Sequence, residues 1–121
     1  MLAYPAMKRL ILALAALAAL PGRAADSPGA GSFDVSLDAT GVHEECRRIE
    51  AGGKQAYYWK ADTPVDFNIH YDRGDEAIYP VKRDGMRGDG GTFVAKTAED
   101  YCWMWTGRDK AAKLDGRIEP K

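Results

Sequence analysis

The chain has 121 residues, 45% of them hydrophobic and 29% charged, with a formal net charge of −1. Outside its apolar N-terminus that length holds one small core and not two. Lys and Arg are scattered among Asp and Glu, which excludes a basic stripe for nucleic acid and a basic amphipathic helix for a membrane surface.

Residues 1–24 read as a secretory signal. Met7-Lys8-Arg9 gives a positive start, Leu10 to Leu20 is an unbroken run of Leu, Ile and Ala, and Pro21-Gly22-Arg23-Ala24 offers a small-residue cleavage site. The apolar run is shorter than the roughly 20 residues that span a bilayer, so no stable membrane anchor is expected after cleavage. Either Met1 or Met7 fits as the initiator, and Lys8-Arg9 favours Met7. Removing Lys8, Arg9 and Arg23 leaves 14 basic against 18 acidic residues, a net of −4. The expected product is a mildly acidic periplasmic or secreted domain.

Residues 25–32, Ala-Asp-Ser-Pro-Gly-Ala-Gly-Ser, form a flexible leader, and residues 33–119 form the single domain. Phe33, Val35 and Leu37 alternate with polar neighbours as in a half-buried strand. Val42 to Ile49 fits a strand or a short helix. Ala51-Gly52-Gly53 is a turn, and Gln55 to Ala61 is a strand with Tyr57, Trp59 and Ala61 on one face. Asp62-Thr63-Pro64 predicts a further turn.

Val65 to Tyr71 has a clear period of two. Val65, Phe67, Ile69 and Tyr71 face one way, and Asp66, Asn68, His70 and Asp72 the other. Arg73-Gly74-Asp75 joins this strand to Glu76–Lys82 in a hairpin whose second arm carries Pro80, the mark of an edge or bulge. Asp84 to Gly91, with four glycines, predicts a mobile surface loop. Thr92–Lys96, Asp100–Thr106 and Leu114–Glu119 complete the set. No segment keeps a helical period. Seven or eight short strands predict an all-β fold, an antiparallel β-sandwich. Cys46 and Cys102, the two cysteines of an exported chain, predict one disulfide.

Taken together, an early cysteine, an aromatic strand (Tyr57-Tyr58-Trp59-Lys60-Ala61), Pro64-Val65-Asp66-Phe67-Asn68-Ile69, Gly91-Thr92-Phe93-Val94-Ala95 and Tyr101-Cys102-Trp103-Met104-Trp105 resemble the GOLD domain of lumenal cargo receptors. The likeness covers residues 33–119. It departs from the family at Cys102, which the tyrosine directly precedes. The resemblance implies a compact β-sandwich, a disulfide from an early to a late cysteine, and a non-catalytic interaction module with no catalytic residues to carry over.

The chemistry candidates are few. His43-x-x-Cys46 has metal-ligand spacing, and His70, Met86 and Met104 add borderline or soft ligands that suit copper or zinc. A disulfide removes the Cys46 thiolate, which leaves His43, His70 and Met104 as an alternative metal set beside the expectation of no cofactor. His70 shares a strand face with Asp66, Asn68 and Asp72, as a base oriented by a carboxylate would, or as a polar surface strand does. Alternate strand positions do not wrap calcium. Glu44-Glu45 and Glu99-Asp100 point to opposite faces, so neither pair flanks a glycosidic bond. Cys102 has no Cys-x-x-Cys partner for redox work. Asn68, His70, Met104 and Trp105 are the candidate contacts for an unidentified protein or small ligand. The expected function is binding without catalysis, and the alternative is periplasmic metal binding.

Overall fold

A computed structural model describes residues 31–121; the expected signal and most of the expected leader lie outside the described residues. Six strands follow one another: β1 (Ser32–Leu37), β2 (Val42–Ile49), β3 (Lys54–Arg73), β4 (Glu76–Val94), β5 (Glu99–Gly107) and β6 (Ala112–Pro120). All pair antiparallel in one curled sheet of order β1-β6-β3-β5-β2, with β4 on the other side of β3. The described residues contain no helix, so Val42 to Ile49 resolves as strand.

The count is six rather than seven or eight because two expected interruptions are absent. β3 runs through Asp62-Thr63-Pro64. Its first half pairs with β6 up to Ala61↔Leu114, and its second half with β5 from Val65↔Gly107. The ladder to β4 also skips from Lys60 to Val65. Pro64 thus falls where no partner asks for its missing N–H, and the strand bends there instead of ending.

The expected mobile loop from Asp84 to Gly91 is likewise part of a strand, β4. The glycines serve curvature. Gly85 lies at a register slip opposite the β3 bend and has φ +66°, a backbone state that L side chains rarely adopt. Its N–H donates to Asp66 Oδ1 at 2.9 Å, and Arg108 Nη1 donates to the same oxygen at 2.8 Å. The Arg73↔Glu76 hairpin forms as expected, and Pro80 sits on a strand whose other edge is unpaired.

The concave side of the curl is the core. Val65, Phe67, Ile69, Tyr101, Trp103, Trp105, Leu114 and Ile118 are each at most 1% exposed. Phe67 stacks on Trp105 with centroids 5.4 Å apart, and Trp59 meets Trp105 edge-on at 6.2 Å. Burying an aromatic side chain removes about 150–250 Å² from water, so this cluster carries much of the stability. The Cys46–Cys102 disulfide lies on the opposite, convex face.

Candidate functional site

Directly opposed residues of an antiparallel pair project to the same face, so register alone builds the convex surface. Cys46 faces Cys102, which faces His70; Glu44 faces Met104, which faces Asn68. The two rows are adjacent. His70 Nδ1 lies 2.7 Å from Asn68 Oδ1, and its Nε2 lies 3.4 Å from Glu44 Oε2. The Tyr79 ring, itself 45% exposed, covers the imidazole at 5.7 Å between centroids. His70 and Asn68 are therefore buried, at 9% and 8% exposure, although their strand face points away from the core.

Of the candidate contacts, Asn68, His70 and Met104 share this face. Trp105 does not. It is 0% exposed in the core, because alternation along β5 sends Tyr101, Trp103 and Trp105 inward and Cys102 and Met104 outward. A side chain without accessible surface makes no contact with a partner. His43 is also misplaced for the alternative metal set. It lies on the inner side of β2, stacked on Trp105 at 5.8 Å and held by Glu45 at 2.7 Å, with the sheet between it and His70. Met86 packs against the core.

A second feature has no counterpart in the sequence expectations. The curl of β3 and β4 leaves a cleft of about 640 Å³. Tyr57, Tyr71, Phe93 and Tyr101 form its aromatic wall, and Arg83 and Lys96 are its cations. Tyr71 and Phe93 both meet the Tyr101 ring edge-on, at 5.3 and 5.0 Å, and the Tyr101 hydroxyl donates to the Thr97 carbonyl at 2.7 Å. Arg83 pairs with Asp89 at 2.9 Å. Burial, reinforced by the Asp89 charge and opposed by Arg83, raises the Tyr57 phenol above its ordinary value. An aromatic wall lined also by Lys96 and the Asp89-paired Arg83 suits a partner that offers apolar surface and some negative charge.

No family model and no curated protein matches the sequence. Solved structures do. A periplasmic inhibitor of g-type lysozyme, PliG from Aeromonas hydrophila, superposes with a TM-score of 0.53 at 15% identity, over 78% of this chain and 90% of that one. The Salmonella Typhimurium PliG gives 0.50 at 14% identity, over 74% and 89%. PirA gives 0.58 at 9% identity, over 80% and 99%. The shared property is a small all-β fold. None of the three is a GOLD domain, and identities this low speak for architecture alone.

Sequence reasoning missed Glu44, Tyr79 and the whole cleft. Glu44 was within reach: if Cys46 opposes Cys102, counting two residues back along β2 and two forward along β5 sets Glu44 opposite Met104. The cleft had no such handle, since its six named residues come from four separated segments.

Proposed function

We propose that the chain is a non-catalytic, exported interaction module, its curled sheet forming a two-layered sandwich of the GOLD-like kind, and that it holds a protein partner at the cleft lined by β3, β4, β5 and the β4–β5 turn. The observation that carries this reading is the cleft itself: about 640 Å³, walled by four aromatic side chains and topped by Arg83 and Lys96. Aromatic and arginine side chains dominate binding energy at protein interfaces, and here they are held by the sheet and need little ordering on contact. The disulfide suits an oxidising compartment outside the cytoplasm. Likeness to two periplasmic inhibitors supports the same reading and makes g-type lysozyme the first partner to assay.

The test titrates the mature protein against g-type lysozyme and, in parallel, against the soluble proteins of the exported fraction. Saturable one-to-one binding that Arg83→Glu and Lys96→Glu weaken at least tenfold supports the assignment. Binding unaffected by both substitutions removes the cleft from the proposal. Turnover of a substrate by the purified protein would overturn its non-catalytic character.

A further inference from the structure

The convex face carries a second arrangement that is independent of the cleft. One ligand atom each from Glu44, His70 and Cys102 lie within 4.8 Å of one another. Asn68 Oδ1 accepts from His70 Nδ1, and in the neutral imidazole that arrangement turns the Nε2 lone pair toward the Glu44 carboxylate 3.4 Å away. Two electron-rich atoms at that distance favour a positive charge between them. Two ligands of a tetrahedral ion, each roughly 2.0–2.1 Å from it, lie about 3.4 Å apart. An oxygen acceptor on the far ring nitrogen is also how metal-bound imidazoles are usually oriented. Only the sulfur is in the wrong state, because a disulfide offers no thiolate.

We propose that reduction of the Cys46–Cys102 disulfide uncovers a site for a zinc-class divalent cation, formed by the Cys46 and Cys102 thiolates, His70 Nε2 and a Glu44 carboxylate oxygen. The reductant is a dithiol. It supplies two electrons and two protons, the S–S bond breaks, two thiols form and the dithiol leaves as its own disulfide. Binding of the ion then releases both thiol protons to solvent, so that two thiolates, an imidazole and a carboxylate complete four-coordination. Cys46 is exposed, which admits the attacking thiolate. Cys46↔Cys102 lies within eight consecutive β2–β5 register pairs, and these keep Cys102 between His70 and Cys46 once the bond is gone, so that the Cys46 sulfur has only to turn toward the ion. In the oxidised protein the same face is closed to the ion. The metal site is thus gated by thiol redox state, and it uses neither His43 nor Met104.

The experiment uses the full mature protein, oxidised or reduced with a phosphine that contributes no competing thiolate, titrated with Co²⁺ and Zn²⁺. One Co²⁺ per reduced chain is expected, with thiolate-to-cobalt charge-transfer absorption that Zn²⁺ bleaches, and at least 100-fold weaker uptake by the oxidised chain. His70→Ala and Glu44→Ala should each weaken Co²⁺ at least tenfold, while His43→Ala leaves it unchanged. Near-UV circular dichroism follows folding in parallel. Equal affinity in the two redox states overturns the proposal, as does cobalt uptake insensitive to His70→Ala. A reduced chain that unfolds and is not restored by Zn²⁺ overturns it too.

Discussion

Cys46 and Cys102 oppose each other across β2 and β5 with their Cα atoms 4.0 Å apart, and the same register row continues to His70 on β3. A bond between residues 56 apart in sequence therefore joins strands that the sheet already pairs. Its main effect falls on the unfolded chain, which loses the freedom of a long loop.

Replacing both cysteines by alanine should lower stability by about 4 kcal/mol on the chain-entropy account of disulfides. Urea unfolding of the double variant, with its midpoint compared at equal slope, checks this. A loss below about 1 kcal/mol would mean that the unfolded chain already keeps the two segments close.

Gly116→Ala should be among the most damaging small substitutions. A Cβ there meets the Phe33 ring at 2.6 Å, the Tyr58 carbonyl oxygen at 2.6 Å and Trp59 Cβ at 2.8 Å. Two of these obstacles are backbone or near-backbone atoms that cannot swing aside. Overpacking of this kind costs about 1–3 kcal/mol, which thermal unfolding will read as a drop of several degrees.

Asp66 links the bulge at Gly85 to Arg108. Burial opposes its ionisation, but hydrogen bonds from Arg108 and the Gly85 N–H, with the charges of Arg108 and Lys82, hold its carboxyl below the usual value. The folded state thus keeps this carboxylate charged at pH values where the unfolded chain has protonated it. The stabilisation is complete above the unfolded aspartate pKa, near 3.9, and fades as pH falls through the lower folded value. Asp66→Asn should therefore flatten the acid limb of a stability profile taken between pH 6 and 2. An unchanged limb would show that Asp66 contributes nothing to it.

Tyr57 predicts the opposite limb. Its raised phenol pKa means that the unfolded chain ionises first as pH climbs past about 10. Stability from this group is full below that pH and is lost as pH rises through the folded value. Tyr57→Phe should make the urea midpoint less steep between pH 9 and 11.5. A wild-type slope retained in Tyr57→Phe would assign the alkaline loss elsewhere.

What the sequence made legible was whatever a single strand can express. The two faces of Val65 to Tyr71, the hairpin at Arg73-Gly74-Asp75 and the partnership of the cysteines all follow from local period, turn chemistry and compartment. Pro64 misled because a proline in an extended run ordinarily ends it. Only the transfer of β3 from one neighbour to another, a tertiary fact, gives it a place with no ladder bond to lose. Asp84 to Gly91 misled similarly, since the composition of a loop and that of a tightly bent edge strand are alike. For Trp105 and Met104, alternation separated the two residues but did not say which looked inward. The sign of that choice came from packing against Phe33, Trp59 and Phe67.

The way β3 is shared also sets a timetable for the chain. Its halves are completed by β6 and β5, the last two strands to be made, while β1, the first, has β6 as its hydrogen-bonded neighbour. A nascent chain delivered from its N-terminus can zip up the β3–β4 hairpin early, but the first strand must wait for the last. The described sheet stays incomplete until β6 emerges.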